Sequence, residues 1–151
     1  MENTSAQTMW DNYLDKNLKN VLVETPRTIH LSDNESEANS SVDLTLKGLK
    51  KATSNTLIAL QNKNETLPKI GSYLVITDWN KNPKCIIKIT AVKLKPFFAI
   101  DSDFAIKEGD KTLDSWKKTH WDYFSRELHV FKKTPNESMI IVCQEFEKVY
   151  E

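Results

Sequence analysis

The chain reads as an α+β domain, a small, partly open β-barrel with flanking helices, and three observations predict it. Helical periodicity dominates the chain before Gly48, and short alternating or continuously apolar runs dominate after it. The regular alternation of strand and long helix that a doubly wound parallel sheet needs is missing. The 151 residues are enough for one domain that buries roughly two-thirds of its unfolded surface.

The elements follow in order. Trp10, Tyr13, Leu14 and Leu18 recur at helical spacing and predict a short amphipathic helix over 8–18. A less structured stretch over 24–33 follows, because Pro26 cannot continue a helix. Ser32, Asp33 and Asn34 supply caps for a second helix over 35–47, in which Ala38, Val42 and Leu46 share a face and Gly48 is the stop. Strands are expected over 52–58, 73–79, 85–94, 128–131 and 139–146. Turn residues at 68–71 and 80–83 separate them, the second forming a hairpin between Trp79 and Cys85. One more helix, capped by Asp110 or Thr112, carries Leu113, Trp116, His120 and Phe124 along one face.

Net charge is zero, which argues against the broad basic surface of a nonspecific DNA-binding protein. The distribution is uneven: residues 1–42 carry net −4, residues 43–107 net +6 and residues 108–151 net −2. The middle segment therefore permits a local anion-friendly groove. No apolar run approaches the roughly 20 residues needed to cross a bilayer, and the first dozen residues have neither a basic region nor an apolar stretch. A cytoplasmic location without membrane contact is expected. Cys85 and Cys143 each lie in an apolar, strand-like run outside any CxxC or His-rich cluster, and are read as buried thiols. No metal or cofactor is expected.

Three segments rise above this background: Gly48-Leu49-Lys50-Lys51-Ala52-Thr53-Ser54, Phe104-Ala105-Ile106-Lys107-Glu108-Gly109-Asp110, and the ending from Val142-Cys143-Gln144 through Phe146 to Val149-Tyr150. With the Trp116/His120 helix, these resemble the bacterial ASCH family in its G-x-K-T-A-T, F-A-x-x-E-G-D, W-x-x-x-H and V-C-E-x-F-x-x-V-Y segments. The likeness extends to Leu67-Pro68, Gly71-Ser72-Tyr73 and Pro83-Lys84-Cys85, and so covers residues 30–151, with residues 1–29 as an N-terminal helix and connection packed on the domain. The departures are Lys51 in place of threonine and Gln144 in place of glutamate. The resemblance implies a PUA-like barrel with a cleft beside the G-x-K segment and a partner that is RNA or a modified nucleoside. Some small members remove the acetyl group of N4-acetylcytidine with a Lys, Thr and Glu set, and others are described as ribonucleases. Carried onto this chain, the catalytic set falls on Lys50, Thr53 and Glu108, with Lys51, Ser54, Gly109 and Trp121 as ligand-binding candidates.

The chemistry of these residue types bears on that implication. A threonine hydroxyl needs a base to take its proton, and a lysine serves only where burial or positive neighbours favour its neutral form. Lys50 and Thr53 are three apart, which puts them on opposite faces of a regular strand, so a turn is required after Gly48. Glu108 would shuttle a proton to the leaving amine, and Gly109 lets backbone approach a ligand. Backbone N–H groups over 52–54 are candidates for the oxyanion partner. His120 is read as a hydrogen-bonded core histidine, and Trp121, beside the apolar stripe, as the base-stacking candidate. Two main readings stay open: RNA binding through phosphate contacts of Lys47, Lys50, Lys51, Lys84 and Lys88, and amide hydrolysis by Lys50, Thr53 and Glu108. Ribonuclease action in the same cleft and an interaction domain without catalysis stand behind them.

Overall fold

A computed structural model describes residues 3–17 and 25–151. Its elements run α1 (Thr4–Lys16), β1 (Arg27–His30), α2 (Glu35–Leu46), β2 (Ala52–Thr56), α3 (Leu57–Asn62), β3 (Tyr73–Thr77), β4 (Pro83–Pro96), α4 (Ser102–Lys107), α5 (Leu113–His129) and β5 (Ile140–Tyr150). Leu18, the expected end of the first helix, and Glu24 lie outside the described residues. Among the described residues no helix is long and apolar enough to cross a membrane.

The five strands form one sheet in the order β1-β3-β4-β5-β2, parallel between β1 and β3 and antiparallel elsewhere. The 14-residue β4 is its spine. Register shifts between Ile86 and Ile87 and between Ile89 and Ala91 bend this strand against β5, as bulges do, and curl the sheet toward an open half-barrel. Alternation along the strands then loads both faces. Ile76, Ile87 and Ile89 join Leu31 and Val42 in one core. Val75 and Ile86, pointing the other way, pack with Trp10 and Tyr13 of α1. At the far end Ala52, Ile141 and Cys143 pack with Trp116, Phe124 and Leu128 of α5. The α+β architecture is therefore the one expected, and Cys85 and Cys143 are free and buried.

Three local expectations are corrected, and one helix is new. Residues 128–131 are the last turn of α5 and the turn beyond it, because Leu128, fully buried, continues the Trp116, Phe124 stripe at helical spacing. The strand from Ala52 stops at Thr56, whose hydroxyl accepts from Ala59 N at 3.2 Å and caps α3. The segment around Phe104 is the helix α4, capped by Asp101, with Glu108 at its C-terminal end. Finally, Arg27–His30, expected without regular structure, is the parallel edge strand β1.

Candidate functional site

Gly48 ends α2 with φ +74°, and the carbonyl of Leu44 accepts from both Leu49 N at 2.9 Å and Lys50 N at 3.1 Å. This turn folds Lys50 back beneath α2, where the residue is only 7% exposed. Gly109, at φ +99°, closes the turn after α4 on the other side; a Cβ there would sit 3.1 Å from Leu44 Cδ1 and 3.8 Å from Lys50 Cβ. Gly109 thus lets backbone come close to the lysine, and Gly48 sets the turn that delivers it.

Between α2 and α5 lies a cleft of about 230 Å³. Ser36, Ser40 and Ser41 of α2 and Thr119, His120 and Tyr123 of α5 form opposing walls, and Lys50, Thr53, Ser54, Glu108, Gly109 and Asp110 lie between them. Across the mouth, Arg126 of α5 grips Asp33 at 3.1 and 3.2 Å and Glu37 of α2 at 2.8 Å. The walls are therefore tied together by charge at the rim.

Glu108 is the hub. Its side chain is 1% exposed. Lys50 Nζ donates to its carbonyl at 3.1 Å and lies 3.5 Å from Oε1. Ser54 Oγ donates to Oε2 at 2.8 Å, His120 Nε2 sits 3.1 Å from the same oxygen, and the Trp116 indole N–H also donates to it. Burial alone would raise the Glu108 pKa, but the His120 and Lys50 charges and the hydrogen bonds from His120 and Trp116 hold it at about 2, below its ordinary 4.5. The carboxylate is ionised and fully engaged.

His120 lies flat on Trp116, ring centroids 4.4 Å apart and planes 14° from parallel. Its Nδ1 is 3.0 Å from the Trp116 carbonyl, so both ring nitrogens face acceptors, which calls for the doubly protonated imidazolium. Burial opposes that charge, yet the Glu108 carboxylate outweighs it and raises the His120 pKa, with Asp110 adding and Lys50 opposing. Asp110 itself is pushed upward, first by burial. Of the two cations around this carboxylate, His120 has both N–H groups engaged, and Lys50 keeps one N–H beyond its two contacts with Glu108 for a ligand's oxygen.

Lys50, Thr53, Ser54, Glu108 and Gly109 thus line one cleft. The Lys50 ammonium is turned to Glu108, and the cleft's polar contacts do not couple it to Thr53. Two candidates fall elsewhere. Lys51 is exposed and engaged through its backbone, its N–H to the Lys107 carbonyl and its carbonyl to Phe146 N–H. Trp121 packs edge-on against Phe97 with centroids 5.2 Å apart and does not line the cleft, because it points to the core side of α5. His120, read as a core residue, is hydrogen-bonded as expected but forms part of the cleft wall. The serine face of α2 and Tyr123 were not singled out from sequence. The one visible signal for the serines was a stripe of small polar residues beside the Ala38, Val42 core stripe.

A second, larger chamber of about 680 Å³ opens beside the cleft on the concave face of the sheet. Leu31, Ser32, Thr53 and Tyr123 line both and form the junction. Asn55 and Tyr123 at this junction are locked: Asn55 Nδ2 donates to Tyr123 Oη at 3.0 Å and to Glu127 Oε2 at 2.8 Å, and Tyr123 donates to Glu127 at 3.2 Å.

The model of the ASCH domain matches residues 27–150. The chain is similar to the crystal structure of the ASCH domain from Lactobacillus crispatus JV V101, with 31% identity and a TM-score of 0.93 over 99% of this chain and 96% of that one. It is also similar to protein EF3133 from Enterococcus faecalis V583, with 31% identity and a TM-score of 0.89 over 97% of this chain and 88% of that one. No curated protein matches. With its sequence segments, its curled α+β sheet and these relatives in agreement, the chain belongs to the ASCH domain family, of PUA-like fold.

Proposed function

We propose that the protein binds a nucleoside, free or as an unpaired nucleotide of RNA, in the cleft of Lys50, Thr53 and Glu108. The ASCH fold is generally associated with RNA. The observation that carries the reading is the cleft itself, which is hydroxyl-rich on both walls and holds the Lys50 ammonium, one of whose three N–H groups is left over from its two contacts with Glu108. Serine and threonine hydroxyls suit the sugar hydroxyls, and the remaining Lys50 N–H suits a further ligand oxygen. Its volume of about 230 Å³ lies below the roughly 300–1,000 Å³ typical of sites for drug-sized ligands, so it suits part of a nucleoside better than an extended strand.

Phosphate contact is the weaker part of the earlier expectation. Lys50 is withdrawn onto Glu108, and Glu37 and Asp110 add negative charge to the walls. Affinity should therefore change little with salt, whereas each neutralised phosphate would steepen the dependence. Calorimetric titration with cytidine, N4-acetylcytidine and a short single-stranded RNA at low and moderate salt tests this. Binding of nucleosides with a shallow salt slope is expected; no binding, or binding of RNA alone with a steep slope, refutes the reading.

A second reading, hydrolysis of an acylated cytidine amine, is supported by Lys50, Thr53 and Glu108 lining the same cleft. It requires Lys50 to exchange Glu108 for Thr53 when substrate binds. Release of acetate from N4-acetylcytidine, abolished in Thr53→Ala, is its test.

A further inference from the structure

Gln144 is one polar side chain that the cleft does not account for. The residue is 8% exposed, lines the larger chamber, and its amide has no hydrogen-bond partner among the described residues. Ile29, Leu74, Ile87 and Ile89 supply the apolar part of the chamber's lining, so the amide's donor and acceptor are left to whatever enters the chamber. The neighbouring Asn55 Nδ2 and Tyr123 hydroxyl are engaged with each other and with Glu127, and Asn55 Oδ1 makes no hydrogen bond with Gln144.

We propose that the larger chamber is a nucleobase pocket in which the Gln144 amide reads the base's paired donor–acceptor edge. The inference rests on the nucleoside reading of the adjoining cleft and assigns the base to a place the cleft does not offer. A primary amide holds a donor and an acceptor side by side, and a planar heteroaromatic ring with the complementary pair satisfies both at once. An alkyl chain would fill the apolar walls but leave the amide without a partner, so a lipid-like ligand does not fit. The position agrees with the rest of the site. Gln144 pairs across the sheet with Thr53, so their side chains share a face, and Thr53 lines both spaces. A base seated on Gln144 thus points its attached sugar through the junction toward the hydroxyl walls of the smaller cleft.

The test is calorimetric titration of the full chain with cytidine, uridine, adenosine and ribose, comparing wild type with Gln144→Leu and with Gln144→Glu, which keeps the side chain's length. Melting curves run alongside. Gln144→Leu should bind the nucleosides at least about tenfold more weakly while its melting temperature holds, since the amide makes no hydrogen bond within the described structure. Ribose, which lacks the base, should bind wild type and variant alike. The side-chain amide resonance of Gln144, assigned by its absence in Gln144→Leu, should shift on adding cytidine to the wild-type protein. Unchanged nucleoside affinity in both variants, or an unmoved Gln144 resonance at saturating cytidine, overturns the base pocket and leaves the nucleoside cleft standing. Wild-type protein that binds no nucleoside overturns both.

Discussion

Replacing Glu108 by glutamine should be among the most destabilising single-atom changes available in this chain. The substitution removes one charge and leaves Lys50 and His120, whose side chains are 8% and 17% exposed, as facing cations without their counterion. It also puts an N–H₂ group where the carboxylate accepts from Ser54, Trp116 and His120. Two estimates agree in size. Holding the Glu108 pKa at about 2 instead of 4.5 corresponds to on the order of 3 kcal/mol of stability at neutral pH. Breaking a buried ion pair by removing one partner costs about 3–5 kcal/mol. That is a large part of the roughly 5–15 kcal/mol that holds a domain folded. Urea denaturation of wild type and Glu108→Gln at pH 7 measures the difference, read as a lowered midpoint at unchanged slope. The pH dependence has a definite sign. The Glu108 pKa is depressed on folding, so its contribution is complete above about 4.5 and is lost as pH falls toward about 2. The His120 pKa is raised, so its contribution is complete below its ordinary 6.5 and is lost as pH rises through the raised value. Glu108→Gln should flatten both limbs. A midpoint shift worth less than about 1 kcal/mol, with both limbs intact, would refute the hub assignment.

Three further outcomes are expected. Gly109→Ala should cost about 1–3 kcal/mol, because it forces φ +99° on a residue with a Cβ and presses that atom against Leu44; chemical denaturation measures it. Arg126→Ala should change global stability by no more than about 1 kcal/mol, since its ion pairs with Asp33 and Glu37 are well exposed, yet amide exchange at the start of α2 should quicken as the rim tie is lost. Native protein should resist alkylation at pH 8, because burial raises the Cys85 thiol to about 11 and the Cys143 thiol to about 12; urea should release both for reaction, as mass spectrometry would show.

Much of this molecule was legible from local patterns. The caps at Asn34 and Thr112 and the stop at Gly48 marked helix ends because capping chemistry acts within one turn. The candidate set of Lys50 and Glu108 came from resemblance, and the turn that joins them was foreshadowed by Gly48. What stayed hidden depends on contacts distant in sequence. Arg27–His30 is four residues long and is a strand by virtue of pairing with β3, which no local period announces. His120 shares the Trp116, Phe124 stripe, and only the arrival of Glu108 beside it makes it a wall of the cleft. Trp121 stood one position off that stripe, and its side of the helix was settled by Phe97. Gln144 stood out in the sequence only as a departure from the family's glutamate, and the chamber it lines depends on the curl of β4, which no local pattern announces.

The pairing of β2 with β5 carries a kinetic consequence. Ala52 meets Glu145 and Thr56 meets Ile141 only after most of the chain has been made and folded back. Lys50 and Glu108, 58 residues apart, rely on the same closure, as do Ser54 and Glu108. Pairings of such long separation come late, after shorter-range hairpins like β3–β4 have organised. The helices and the β3–β4 hairpin can therefore form while the cleft does not yet exist, and its walls and floor come together only once the sheet has closed.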